Sequence, residues 1–178
     1  MNNFRTAYPN ELYHYGIPKQ QWGVRRFQNP DGTLTTAGKE RYRATKHAEG
    51  LYYKAKSVEP KITKDVQSVV SGTTAKMYGL EHRLKTKESL QRKIETDAFN
   101  DNISLNDSAS KIKDAVRYTA MSEDKGFTKN YFRIKQNLEN KGYSEVRCKN
   151  YFDLYDKGVA KHKSVQSVFR DPNGYLFI

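Results

Sequence analysis

The chain has 178 residues, 36% of them hydrophobic, with 13 Tyr, 8 Phe and a single Cys. Its formal net charge is +12, from 32 Lys+Arg against 20 Asp+Glu, beyond the roughly 2 to 8 that solubility alone calls for in a small domain. This composition excludes a disulfide scaffold, a cysteine-rich zinc site and wholesale disorder. It points to a polyanionic partner, because clustered Lys and Arg neutralise phosphates and release their counterions.

Residues 1–33 read as an irregular arm. Gly16, Pro18, Gly23, Pro30 and Gly32 punctuate it, and Asn29-Pro30-Asp31-Gly32 is a turn signal. The start of the chain has no apolar stretch of the secretory kind and no run approaches transmembrane length, so a cytoplasmic protein is expected, with no membrane partner. A helix is predicted from an N-cap at Thr36 to about Ser57, charged and Tyr-rich with a weak apolar stripe, suited to a linker or a binding face. Pro60 is expected to interrupt it. A second short helix, capped by Thr63 with Val66, Val69 and Val70 on its apolar side, should stop at Gly72.

Tyr78 to Leu84 reads as a short strand or an extended lead-in. Thr86 caps a helix through Ile94, and residues 97–108 read as a polar loop. Ala115 to Met121 reads as a strand. Phe127, Tyr131, Ile134 and Leu138 recur at helical spacing, and Gly142 is placed to end that helix. Tyr143 to Tyr151 reads as a strand with Cys148 at its core or boundary. Val165 to Phe169 and Tyr175 to Ile178 flank the turn signal Asp171-Pro172-Asn173-Gly174 as a hairpin. The fold class expected is α+β: an irregular arm and helix, then a mixed β-sheet with flanking helices. The divisions are an arm at 1–35, a helical linker at 36–72 and an α+β domain at 73–178.

The densest basic cluster runs from His82 to Lys93, where an extended segment enters a helix. The free N–H groups and dipole of that helix start favour phosphate. Arg83 and Lys85 precede the cap, and Lys93 lies one turn after Ser89. Lys87 and Arg92 in this stretch, with Lys149 and Tyr151 later, are the candidate RNA contacts of the domain.

Arg83, Lys85, Ser89 and Lys93, followed by Asp114 and Arg117, resemble in order and spacing the fingerprint of the RelA/SpoT-like nucleotidyltransferases, over roughly residues 76–178. The resemblance implies that fold, these six residues as catalytic, and Mg²⁺ held by carboxylates. No cofactor follows from the sequence by itself. Two departures stand out. The family's Gly-Tyr-x-Ser-x-His segment reads His162-Lys163-Ser164-Val165-Gln166, keeping only the Ser. The family's final Glu would follow Ile178, which leaves Asp114 as the expected carboxylate and shifts the expectation from nucleotide synthesis toward RNA.

Residues 11–44, with Tyr13-His14-Tyr15-Gly16 and Trp22-Gly23-Val24-Arg25-Arg26-Phe27-Gln28-Asn29-Pro30-Asp31-Gly32, resemble an N-terminal module on proteins of Gram-positive phages, plasmids and conjugative elements. Some proteins with this head are similar to the type II-A anti-CRISPR proteins, inhibitors of Cas9, and others look like phage head-associated proteins. Within it Arg25 and Arg26 suit phosphates, while Tyr15, Trp22 and Phe27 can stack on bases. Packing is the commoner role for Trp22 and Phe27.

Histidines 14, 47, 82 and 162 have no metal-ligand spacing. RNA can be cut without metal by an acid, a base and a cation that steadies the phosphorane, and His162 with Lys163, facing Arg83 and Lys85, could supply such a set. Three readings remain open. One is an anti-defence protein acting in the host cytoplasm, which inhibits Cas9 by binding guide RNA, with or without cutting it as a ribonuclease. The others are a pyrophosphokinase toxin acting on nucleotide or tRNA, and a head-associated DNA-binding protein. The oligomeric state is open as well.

Overall fold

The computed structural model describes residues 27–178. Arg25 and Arg26, like Tyr15 and Trp22, lie outside the described residues. The chain forms two compact units, Met1–Lys39 and Glu40–Ile178.

In the described part of the first unit, the turn at Asn29-Pro30-Asp31-Gly32 forms as expected. The Asp31 carboxylate accepts from the backbone N–H of Thr33 at 2.9 Å and from its hydroxyl at 2.7 Å. Asn29 N–H donates to the Thr33 carbonyl at 2.7 Å. Gly32 takes φ +87°, which a side chain would resist. The helix cap is Thr35, one residue before the expected Thr36: its hydroxyl accepts from Gly38 N–H at 3.1 Å. A Cβ at Gly38 would fall 2.0 Å from the Phe27 carbonyl oxygen, so only glycine fits there.

Helix α1 spans Thr36–Ser71 without a break, correcting the expected stop at Ser57 and the second helix capped by Thr63. Pro60 lies inside it and is exposed, as is Lys56, whose carbonyl the missing N–H would have met. Solvent can satisfy that carbonyl, so the proline costs stability without ending the helix. The buried stripe Ala44, Ala48, Ala55, Ile62, Val66 and Val69 runs across it at helical spacing. Its alanines bury little area each, which is why the stripe looks weak in sequence. These residues share one core with the elements that follow.

Those elements are β1 (Lys76–Tyr78), α2 (Lys87–Asn100), α3 (Leu105–Lys111), β2 (Thr119–Met121), α4 (Phe127–Asn140), β3 (Ser144–Asn150), α5 (Phe152–Asp156), β4 (Val165–Arg170) and β5 (Leu176–Phe177). Thr86 caps α2 as expected, accepting from Ser89 N–H. The helix continues past Ile94 to Asn100, burying Ala98, and α3 begins at Leu105, so only 101–104 of the expected 97–108 loop lie outside helix. Ser108, fully buried, donates to the Ile94 carbonyl at 2.9 Å and ties α3 to α2. The strand expected from Tyr78 ends at that residue and a short 3-10 turn, Leu80–His82, follows. The strand expected over 115–121 is regular only at Thr119–Met121. Helix α4 ends where Gly142 takes φ +87°. The hairpin β4–β5 closes on Asp171, whose buried carboxylate accepts from Asn173 N–H at 2.9 Å and Tyr175 N–H at 2.6 Å. Cys148 is exposed on β3 rather than at the core.

The fold is α+β with two antiparallel sheets, β1-β2 and β3-β4-β5. The mixed sheet expected from sequence appears only as a seam between them. Tyr118 N–H donates to the Ile178 carbonyl at 2.7 Å and Ile178 N–H to the Val116 carbonyl at 3.2 Å, the slanted pattern of a parallel pair. Phe177, fully buried, packs behind that seam against Tyr118, Tyr143 and Phe169, with ring centroids 5.8 to 6.0 Å apart.

Candidate nucleic-acid interface

A single antiparallel bridge, Leu84 with Val116, assembles the residues around α2. Lys85 N–H donates to the Ala115 carbonyl at 2.9 Å, and Arg117 N–H to the Arg83 carbonyl at 2.8 Å. Val116 is completely buried there. On either side of the bridged Leu84, Arg83 and Lys85 each meet a carboxylate of the protein. Lys85 Nζ donates to Asp114 Oδ2 at 2.6 Å, and Asp114 Oδ1 is buried without a hydrogen-bond partner among the described residues. Arg117 is exposed, with Nε donating to the His82 carbonyl at 3.3 Å.

Arg83 is committed to the protein itself. Its Nε donates to the carboxylate of Glu59 on α1, and Nη1 to the Leu80 carbonyl at 2.9 Å. The Thr63 hydroxyl also donates to Glu59. Its one proton is thereby used, so the Tyr118 hydroxyl, 2.7 Å away, donates to Thr63. Burial pushes Glu59 toward the neutral form, but the bonds from Thr63 and Arg83 outweigh it and hold the carboxyl below its ordinary value. Burial, only partly offset by the bond to Thr63, pushes the Tyr118 phenol up to about 12, so it stays protonated.

Beside this network lies an open cavity of about 440 Å³ lined by Tyr52, Glu81, Arg83, Leu84, Thr86, Lys87 and Glu88. Lys87 Nζ donates to the Tyr53 hydroxyl at 2.9 Å and lies 4.4 Å from the centre of that ring and 5.3 Å from that of Tyr52. The bond to Tyr53 raises the Lys87 pKa, so the ammonium stays charged. Tyr53 is 58% exposed. The Glu88 carboxyl is held low by its own backbone N–H and the Thr86 hydroxyl, as expected of an acid at a helix start. The cavity wall thus mixes cations, acids and aromatic faces.

The other expected residues are distributed more widely. Ser89 sits in the first turn of α2, Lys93 Nζ pairs with Asp97 at 3.1 Å, and Arg92 is exposed on the same helix. His162 and Tyr151 line a second, smaller cavity of about 210 Å³ with Ala160, Lys161, Ser164 and Gln166. The two cavities share no lining residue. Lys163 pairs with Asp124 at 3.2 Å, and Lys149 is exposed on β3 opposite Gln166. His162 and Lys163, expected to face Arg83 and Lys85, are therefore placed in separate surroundings. Among the described residues no group of three or more His, Cys, Asp and Glu is positioned to hold a metal ion, and no helix is long and apolar enough to cross a membrane.

Glu59 and Tyr118 are not among the expected site residues, Thr63 is expected only as a helix cap, and Tyr52 and Tyr53 only as part of a Tyr-rich helix suited to a linker or binding face. Glu59 does carry a signal: it stands between Ala55 and Ile62 in the buried stripe of α1, and a carboxylate there demands a partner. No family model, curated protein or solved structure matches the chain.

Proposed function

We propose that the protein is an anti-defence factor of a phage or mobile element that inhibits Cas9 by binding its guide RNA. The observation that carries this reading is Lys87 on the wall of the 440 Å³ cavity where α2 begins, its ammonium beside the rings of Tyr52 and Tyr53. A cation for phosphate beside an exposed aromatic face for a base is what single-stranded loops and bulges of RNA require. The net charge of +12 supplies long-range attraction to such a polyanion. The anti-defence role rests on the resemblance of residues 11–44 to the mobile-element module. Binding is better supported than cutting, because the His162–Lys163 and Arg83–Lys85 pairs stand in separate surroundings. Incubating the purified protein with guide RNA, with and without Cas9, tests the proposal by gel shift. A retarded, intact RNA is expected, and an unshifted RNA at low salt would overturn the reading.

A second reading, a RelA/SpoT-like pyrophosphokinase, draws support from the bridge that sets Arg83 and Lys85 beside Asp114 and Arg117. Asp114 would be the residue to hold Mg²⁺. Its Oδ1 is available, but Oδ2 is already neutralised by Lys85 at 2.6 Å, so the fit to a cation is poor. Transfer of label from ATP to GDP or tRNA would favour this reading over the first.

A further inference from the structure

We infer that the outward face of α1 is a track for the sugar–phosphate backbone of a double-helical RNA stem. This rests on the RNA-binding reading and adds a second surface and a second class of RNA structure to it. Arg43, Lys46, Lys54, Lys61 and Lys64 are all exposed. Helical spacing sets Lys46 and Lys64 opposite the buried alanine and valine stripe and Arg43, Lys61 and Lys54 toward one flank of that face, where Lys54 Nζ lies 6.0 Å from the centre of the Tyr175 ring. They span about 32 Å at 1.5 Å per residue, long enough to follow several successive phosphates of a duplex.

The acids of α1 offset only part of this stripe. Glu40 is exposed three residues before Arg43, and Glu49 pairs with one stripe member, Lys46, at 3.3 Å. Glu59 is buried under Arg83. Asp65 accepts from Lys141 at 3.2 Å and from the Tyr143 hydroxyl at 2.8 Å. A solvated helix face ordinarily alternates the two signs of charge, and this one carries unbalanced positive charge along four or more turns. Between the cations stand small residues, Gly50 and Ser57. A Cβ at Gly50 would meet nothing within 4 Å, so a nucleic-acid backbone can approach the helix closely there.

A band of cations along one long helix suits a rigid duplex, which proteins recognise by shape and phosphate contacts rather than by base stacking. Single strands instead favour aromatic platforms, and the exposed aromatic rings of this helix, Tyr42 and Tyr53, stand at the margin of the stripe. Tyr53 also bonds Lys87 at the cavity. The stripe and the cavity therefore adjoin, and one RNA with a stem and a loop could use both.

The test compares the wild-type chain with the triple variant R43Q/K54Q/K61Q, whose exposed positions and good helix-forming replacements keep α1 intact. Each binds a stem–loop RNA and a single strand of equal length across a salt series. For the stem–loop, the variant should lose roughly tenfold or more in affinity, and its slope of log K against log salt should flatten by roughly 2 to 3. Binding of the single strand should change by less than about threefold on the same grounds. Unchanged stem–loop affinity and slope, or equal loss on the single strand, would overturn the inference and leave the cavity reading standing. Failure of the wild-type chain to bind either RNA would overturn both. In that case binding to phosphatidylserine vesicles, lost in the variant, would reassign the stripe to a membrane surface.

Discussion

The guanidinium of Arg83, at the edge of the cavity beside α2, is anchored on the buried carboxylate of Glu59 in the middle of α1. One ion pair thus joins the long helix to the segment that carries the candidate interface. Arg83 is 37% exposed, so the pair is screened on one side. Removing Glu59 nevertheless leaves Arg83 and Thr63 without their common acceptor. Glu59→Ala should destabilise the fold by about 2–3 kcal/mol, below the range for a fully buried pair. Urea unfolding with an unchanged m-value checks this.

Glu59, Asp65 and Glu145 are each held below their ordinary carboxyl values. For each, burial opposes ionisation and is outweighed by hydrogen bonds: from Thr63 and Arg83, from Tyr143 and Lys141, and from Lys135 and Tyr131 among others. The unfolded chain titrates near 4.5 for Glu and 3.8 for Asp and binds more protons there than the folded one. The stability these groups contribute is therefore complete above those values and is lost as the pH falls through the lower folded values. Melting temperature should drop steeply below about pH 5, and Glu59→Gln should flatten part of that fall. An identical profile in the variant would remove Glu59 from the account.

Pro60 sits on the solvent side of a continuous helix. Pro60→Ala restores a backbone donor toward Lys56 and relieves the ring, against some gain in unfolded-chain freedom. It should stabilise the protein by about 1–2 kcal/mol, or roughly 3–6 °C in Tm. A drop in Tm would mean that α1 is bent at this position in a way the core requires.

Lys87→Ala removes the ammonium beside Tyr52 and Tyr53 but no buried contact. RNA affinity should fall about fivefold, with the salt slope flattened by roughly 0.7 to 0.9, one phosphate contact's share. Circular dichroism and Tm should stay unchanged. Lys85→Ala should instead lower Tm, since it strands the Asp114 carboxylate. Filter binding and thermal melts of the two variants separate a ligand contact from an internal ion pair.

Local signals read well from sequence wherever one residue type decides the backbone. Thr86 as a cap, Gly142 at the end of α4 and Asp171-Pro172-Asn173-Gly174 as a hairpin turn all form as their chemistry dictates. The course of α1 does not, because Pro60 reads as a breaker and the stripe of Ala44, Ala48 and Ala55 is made of small residues. Small residues bury fully yet raise little periodic signal, and tertiary packing overrides the local cost of one proline. The basic cluster at 82–93 was visible, but its partition was not. Whether a lysine faces solvent or an internal carboxylate depends on residues far along the chain. Asp114 claims Lys85 and Glu59 claims Arg83, while Lys87 meets two tyrosines of α1.

The central claim is that this protein carries structured RNA. Sequencing the nucleic acid that co-purifies with it from Cas9-bearing cells measures that most directly. The account predicts enrichment of guide RNA, reduced in the Lys87→Ala and R43Q/K54Q/K61Q variants. Recovery of DNA alone, or of no nucleic acid at low salt, would contradict it.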